Sequence, residues 1–206
     1  MRIYITDITY LYDAEAFSAA YALVPAWRRR KVDEMKHQSG KCLALGAGIL
    51  LHNGLLERGI EVEPDEASVN EYGKPFYKEY PDVHFSISHS GTKVMCVISD
   101  KEVGCDVERI KSRGQDIAKR FFTPDEYALI QSQPSDEDKV NMFFRIWTLK
   151  ESFLKCIGTG LSTELNTFSI IPAATTITIE QFIDETADFN FQELDLNDGY
   201  RYAVCW

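Results

Sequence analysis

The chain has 206 residues, of which 45% are hydrophobic, 26% charged and 12% aromatic, with a net charge of −10. This composition is typical of an ordered globular protein, and the acidic balance argues against general nucleic-acid binding. The most apolar stretch, Leu43 to Leu51, is far shorter than the roughly 20 residues that a membrane helix needs. Five scattered cysteines without CxxC spacing favour free thiols and a cytoplasmic location.

The first half of the chain is predicted to place strands around one long helical region. The alternating segment MRIYITDITYLYD predicts a first strand and argues against a signal peptide. Helical spacing runs from Pro25 to Glu57, and a break is expected near Ser39-Gly40. Lys74-Pro75 predicts a turn into an edge strand. Further strands are predicted at His84–Ser88, Val94–Ser99 and Val103–Ile110.

The second half begins with a helical stretch from Asp116. Thr123 and Glu126 have the spacing of a capping box, with Pro124 at the first helical position. A helix is predicted over Asn141 to Cys156, where the apolar residues form a broad face and Gly158 provides a stop. Short strands are predicted within FSII, TTITIEQF, NFQELDL and YRYAVCW.

The two halves share an outline of a long helix, a glycine-rich exit and a β-meander. We therefore predict an α/β (α+β) protein with two similar halves, residues 1–100 and 101–206. Each half would have a long helix packed on a small antiparallel sheet. The ligand site is then expected in the cleft between the halves.

The segment GCDVE carries two carboxylates that the strand period places on one face. Asp106 and Glu108 would lie roughly 7 Å apart at the backbone. They repel each other unless a cation lies between them, and oxygen-only ligands suit Mg²⁺. The alternative is a solvent-exposed strand face with two acids that have no function.

The segment WTLKESFLKCIGTG places Glu151 and Lys155 one helical turn apart, with Lys150 on an adjacent flank. One interpretation is a surface salt bridge worth about 0.3–0.5 kcal/mol. The other makes Glu151 a third ligand for the same cation and Lys155 a partner for a phosphate.

The segment HFSISHSG could meet a phosphate where its strand ends, at Ser88, His89 and Ser90. His84 and His89 lie on opposite strand faces, which argues against a shared zinc site. Ser88 and His89 also face apart, so they are a poor pair for a hydrolase. A basic run and a turn lysine could bind phosphate or an acidic partner, or be solvated: Arg28, Arg29, Arg30, Lys31 and Lys74.

Five segments, in this order along the chain, resemble the motifs of the Sfp-type 4′-phosphopantetheinyl transferases: GKP, FSISHSG, GCDVE, RFFTPDEY and WTLKESFLKCIGTGL. The resemblance implies two halves related by a pseudo-twofold axis, with coenzyme A in the cleft between them. It implies transfer of the 4′-phosphopantetheine arm to a serine of an apo acyl or peptidyl carrier protein. The other product would be adenosine 3′,5′-bisphosphate.

The resemblance also assigns roles to residues. Mg²⁺ would be held by Asp106, Glu108 and Glu151, and Glu151 would also be the general base. Lys155 and His89 would contact phosphates and complete the catalytic set. Coenzyme A would be bound by Arg28, Arg30, Lys31, Lys74, Ser88, His89 and Lys155. We expect a monomer that recognises its carrier through apolar contacts and a basic patch formed by Arg109, Lys111, Arg113, Lys119 and Arg120.

Two other functions remain open. One is a Mg²⁺-dependent phosphohydrolase that cleaves coenzyme A or nucleotide pyrophosphates without a protein acceptor. The other is a non-catalytic module that binds coenzyme A or a carrier protein, although three intact acids argue against it. Mn²⁺ is the alternative to Mg²⁺, and the carrier could belong to fatty-acid, polyketide, nonribosomal-peptide or siderophore synthesis.

Overall fold

The computed structural model describes residues 1–61, 67–112, 115–173, 176–180 and 188–206. Two compact units are formed by Met1–Val103 and Gly104–Trp206. The division predicted from the sequence, between residues 100 and 101, lies three residues before the observed one. The predicted strand segment TTITIEQF lies partly outside the described residues.

The first unit combines a sheet with three helices. Its elements are β1 (Arg2–Asp7), α1 (Ala14–Leu23), α2 (Ala26–Asp33), α3 (Gln38–Leu56), β2 (Ser68–Val69), β3 (Pro75–Phe76), β4 (His84–Ser90) and β5 (Lys93–Ser99). The main sheet is antiparallel in the order β1-β5-β4, and β2 pairs with β3. Helix α3 contributes Leu45, Leu51 and Leu55 to the interior.

Two predictions for this unit need correction, and one helix was not predicted. The first strand ends at Asp7, and a 3-10 helix over Thr9–Tyr12 replaces the rest of the predicted strand. The predicted long helix is two helices, and the break falls between Asp33 and Gln38 rather than at Ser39-Gly40. Helix α1 was not predicted; it begins where Asp13 Oδ1 accepts hydrogen bonds from the backbone N–H groups of Glu15 and Ala16.

The second unit has its own sheet and helices. Its elements are β6 (Gly104–Arg109), α4 (Gln115–Phe121), α5 (Pro124–Gln131), α6 (Asp136–Ile157), β7 (Ser169–Pro172), β8 (Ile177–Glu180), β9 (Phe191–Leu194) and β10 (Tyr200–Cys205). The main sheet is antiparallel in the order β6-β10-β9, and β7 pairs with β8. Helix α6 packs on this sheet through a core that includes Leu149, Phe153 and Ala203.

Two helix ends of the second unit lie where local signals predicted them, whereas α6 begins at Asp136 and not at Asn141. At α5, the backbone N–H of Thr123 donates to Glu126 Oε2 over 3.0 Å, and Glu126 N–H donates back to Thr123 Oγ1 over 3.4 Å. Helix α6 ends at Gly158, whose φ of 76° suits glycine. The capping box and the stop are both confirmed.

The two units repeat one topology. In each, the first strand pairs with the last strand, and the penultimate strand lies on the other side of the last. A long helix, α3 or α6, follows the first strand and packs on the sheet. The prediction of an α+β protein whose halves each place a long helix on a small antiparallel sheet is confirmed.

Candidate functional site

Helix α6 passes directly over the first residue of β6. A Cβ on Gly104 would lie 1.9 Å from the backbone oxygen of Ser152 and 2.3 Å from the backbone nitrogen of Cys156. No side chain fits at these distances, so glycine permits the contact. This approach brings strand and helix residues of the predicted site together. The sequence analysis noted Gly104 only as part of GCDVE and missed this role.

An ion pair joins the strand to the helix at this point. Lys155 Nζ lies 2.7 Å from Asp106 Oδ1, and Asp106 is 3% exposed. Burial lowers the pKa of Lys155, but the charge of Asp106 and its hydrogen bond outweigh burial and raise it. Lys155 therefore carries its positive charge at this site.

Glu151 lies on the same helix, one turn before Lys155, and is partly buried. Its pKa is raised, first by burial and then by the negative charges of Asp106 and Glu108, while Lys155 opposes the shift. Glu151 therefore interacts with two other carboxylates and with the Lys155 ammonium. The structure brings together Asp106, Glu108, Glu151 and Lys155 from two separate motifs.

The fit of a metal ion can be judged from these charges. Within the described residues, no three carboxylate, imidazole or thiol groups converge in the arrangement of a metal site. The donor set still suits Mg²⁺, because oxygen donors with mutual repulsion are what a hard divalent cation relieves. Burial is the main cause of the raised pKa of Glu151, and repulsion from Asp106 and Glu108 adds to it. Asp106, Glu108 and Glu151 fit the ion chemically, and their role as ligands stays a prediction.

The predicted phosphate contacts of the first unit differ in exposure. His89 is exposed near the end of β4, whereas Ser88 is buried beside it. The ammonium of Lys74 contacts Glu102, and His84 Nδ1 lies 3.2 Å from the other oxygen of that carboxylate. The grouping of Lys74, His84 and Glu102 was not predicted, because the three residues are far apart in the sequence.

The basic run of α2 does not form one uniform surface. Arg30 and Lys31 are exposed, but Arg28 is 8% exposed. The Arg28 guanidinium carbon lies 4.4 Å from the ring centroid of Trp27, and Lys31 Nζ lies 5.6 Å from the same ring. The three candidates for the nucleotide phosphate therefore have different environments.

Lys150 is the residue that the sequence analysis placed least well. It was placed on a flank adjacent to Glu151 and Lys155 without any prediction of burial, and it is fully buried. Its Nζ lies 2.6 Å from Glu126 Oε1 and donates to the backbone oxygen of Phe168 over 2.5 Å. A signal existed, because four apolar residues lie one turn away on either side: Ile146, Trp147, Phe153 and Leu154. A lysine within such a face is expected to be buried and paired.

The expected carrier-binding patch is exposed where it is described. Arg109, Lys111, Lys119 and Arg120 are on the surface, and Arg113 lies outside the described residues. Arg120 also lies over the ring of Phe121, with its guanidinium carbon 5.0 Å from the centroid.

In the part of the chain that is described, every helix is too short or too polar to cross a membrane.

The chain is similar to one protein-family model and to several known proteins. A family model described as the 4′-phosphopantetheinyl transferase superfamily matches residues 102–205. A 4′-phosphopantetheinyl transferase of Bacillus subtilis is 34% identical over 89% of this chain and 82% of its own length. The protein named 4′-phosphopantetheinyl transferase Sfp, from Bacillus subtilis (strain 168), is 33% identical over 86% of this chain and 80% of its own length.

A solved holo-(acyl-carrier-protein) synthase from Bacillus anthracis superposes with a TM-score of 0.43 at 12% identity. The match covers 50% of this chain and 92% of that chain. The segment matched by the family model contains all four residues of the carboxylate and lysine cluster.

Proposed function

Because the chain belongs to the 4′-phosphopantetheinyl transferase superfamily, we propose that it modifies an apo acyl or peptidyl carrier protein. The donor is coenzyme A, the acceptor is a serine of the carrier, and the second product is adenosine 3′,5′-bisphosphate. The observation that supports this most directly is the cluster of Asp106, Glu108, Glu151 and Lys155. It joins β6 to α6 within the segment that the family model matches.

The three carboxylates are assigned to Mg²⁺. Asp106 and Glu108 lie two residues apart on β6, and Glu151 adds a carboxylate from α6. Bound Mg²⁺ would neutralise pyrophosphate charge and lower the pKa of an oxygen bound to it. Mn²⁺ has the same preference for oxygen ligands, so a direct comparison of the two ions decides between them.

Lys155 and Glu151 have separate tasks in the transfer. Asp106 fixes the position of the Lys155 ammonium, which is assigned to a phosphate of the ligand. Glu151 is assigned to take the proton of the carrier serine, as a carboxylate beside the proposed metal site. The serine oxygen then bonds to the phosphorus that bears the pantetheine arm. The bond from that phosphorus to adenosine 3′,5′-bisphosphate breaks, and the bisphosphate carries away the electron pair.

The coenzyme A contacts are assigned to the first unit and to Lys155. Arg30, Lys31 and His89 are exposed, and this favours them as donors to the 3′-phosphate. Lys74 and Ser88 are assigned to the rest of the nucleotide. Arg28 is the least supported of the predicted contacts, because its guanidinium lies in the interior.

We expect this enzyme to act as a monomer in a reducing cytoplasm. All five cysteines are buried free thiols in the structure, which suits that compartment. Light scattering of the purified protein would measure the mass, and a dimer would contradict the expected monomer.

The test is intact-protein mass spectrometry of an apo carrier incubated with the protein, coenzyme A and Mg²⁺. Carriers from fatty-acid, polyketide and nonribosomal-peptide synthesis are compared. A mass gain of one phosphopantetheine arm, abolished by EDTA, is the expected result. Glu151→Gln should abolish the gain, and Glu137→Gln, at the exposed start of the same helix, should retain it.

Two other outcomes would contradict the proposal. Hydrolysis of coenzyme A without a gain on any carrier would identify a phosphohydrolase. Intact coenzyme A and unmodified carriers, with binding of either one, would identify a non-catalytic module.

A further inference from the structure

A small cavity lies in the first unit, between α2, α3 and the residue that follows β3. Its volume is about 20 Å³. The polar residues that line it are Trp27, Arg28, His52 and Tyr77. A cavity of this volume holds a single species of about the size of a water molecule.

Two residues that line this cavity each have a buried N–H group without an acceptor among the described residues. Arg28 is 8% exposed and Trp27 is 7% exposed. Within the described residues, neither Nε of Arg28 nor Nε1 of Trp27 meets a hydrogen-bond acceptor. Buried donors of this kind normally have a partner, and both residues line the same cavity, which points to a bound species that accepts hydrogen bonds.

The charge at the cavity is positive. Burial lowers the pKa of Arg28, yet a guanidinium stays protonated in proteins. Among the described residues, the ionisable groups that act on Arg28 are Tyr77 and Cys96 rather than a carboxylate. Tyr77 is neutral at physiological pH, because burial raises its pKa to about 12. A buried cation without a counter-charge is strongly unfavourable.

The fold makes room for this buried arginine. A Cβ on Gly48 of α3 would lie 2.6 Å from Cγ of Arg28 and 2.8 Å from its Cδ. Any other residue at position 48 would displace the arginine chain. Gly48 therefore allows the guanidinium to be buried rather than to extend into solvent.

We propose that this cavity binds one monovalent anion of the size of chloride, between Nε of Arg28 and Nε1 of Trp27. A water molecule could accept the same hydrogen bonds but would supply no negative charge beside Arg28. A phosphate group, with four oxygens around its phosphorus, is too large for 20 Å³. The anion stabilises the first unit and is not a substrate.

The first test measures the thermal midpoint of the whole chain in sodium chloride and in sodium gluconate at equal ionic strength. Gluconate is too bulky for the cavity, so only chloride should stabilise the protein through the site. We expect a rise of roughly 2–6 °C at saturating chloride. Trp27→Phe keeps an aromatic ring and removes one donor, and it should reduce the rise. Lys36→Met, an exposed change between α2 and α3, should leave it unchanged.

The second test is crystallography of the protein in sodium bromide. An anomalous peak within hydrogen-bond distance of both nitrogens is expected. A water molecule at that position, together with equal midpoints in chloride and gluconate, would overturn the proposal. Neither measurement depends on phosphopantetheine transfer, so failure here is separate from failure of the proposed function.

Discussion

Lys150 and Glu126 form an ion pair in the interior of the second unit, with 2.6 Å between Nζ and Oε1 and no exposure of either side chain. The backbone N–H of Ile170 donates to the same Glu126 oxygen over 2.8 Å. The pair therefore ties α5, α6 and β7 together. The next residue, Glu151, interacts instead with Asp106 and Glu108. Two consecutive residues of α6 thus have different tasks, one in holding the helix and one in the candidate site.

Breaking this pair should be costly. Lys150→Met leaves the Glu126 carboxylate buried without its counter-charge, and we expect a loss of about 3–5 kcal/mol in the free energy of unfolding. Adding Glu126→Gln removes the stranded charge, so the double variant should lose less than the sum of the two single variants. Denaturant unfolding of all four proteins measures the coupling. Additive losses would show that the two charges do not depend on each other.

Gly104→Ala should disrupt the approach of α6 to β6. The added methyl would overlap the helix backbone, and overpacking costs about 1–3 kcal/mol or more. Transfer activity should fall with stability, because the carboxylates of strand and helix separate. Gly40→Ala is the matched control. Its Cβ would meet Met35 at 3.5 Å, and alanine in a helix should stabilise by up to about 1 kcal/mol. Equal effects of the two changes would contradict the role given to Gly104.

Asp106→Asn and Glu151→Gln should each reduce transfer by at least roughly 100-fold, while the fold is retained. The amides keep the shape of the side chains and remove the charges that the metal assignment needs. Carrier modification followed by mass spectrometry measures the rate, and circular dichroism checks the fold. A folded variant that remains fully active in Mg²⁺ would remove its residue from the proposed metal site.

Stability at alkaline pH should depend on Tyr77. Its pKa is raised to about 12 in the folded state, chiefly by burial, against about 10 in an unfolded chain. The folded state thus keeps the phenol protonated longer than the unfolded state does. Its contribution is complete below pH of about 10 and is lost as the pH rises to about 12, a difference on the order of 2–3 kcal/mol.

Tyr77→Phe should flatten the fall in stability over this pH window, and Tyr72→Phe, at an exposed tyrosine, should not. Urea unfolding at several pH values gives the comparison. The same slope in Tyr77→Phe and in the unmodified protein would contradict this origin of the pH dependence.

The sequence predicted the features that depend on neighbouring residues. Thr123 and Glu126 are three residues apart, so their capping box was readable, and Gly158 marked the end of α6. The contacts that were not predicted join residues farther apart in the sequence. Lys150 and Glu126 are 24 residues apart, and the helix backbone that covers Gly104 belongs to Ser152 and Cys156. Periodicity shows which face a residue occupies, but not which distant group meets it.

In the candidate site, too, local spacing was predictable and the contacts between distant residues were not. The strand period placed Asp106 and Glu108 on one face, and the helical period placed Glu151 near Lys155. Their assembly was expected from resemblance to a family, since spacing alone leaves the two motifs separate. For Arg28, the charged run RRRK suggested a solvated face, and Gly48, which allows the burial of this arginine, belongs to another helix.

The repeated strand order has a consequence for the kinetics of folding. Arg2 pairs with Ile98, and Gly104 pairs with Cys205, so each sheet closes between the first and last strands of its unit. Pairing these distant strands closes a long loop of chain. The chain loses conformational entropy before many contacts form, and this slows folding. During synthesis, neither β6 nor β9 can form its pairing with β10 until β10 has been synthesised. We therefore expect the second unit to fold only after Tyr200–Cys205 have left the ribosome, which exposes its apolar strands to chaperones until then.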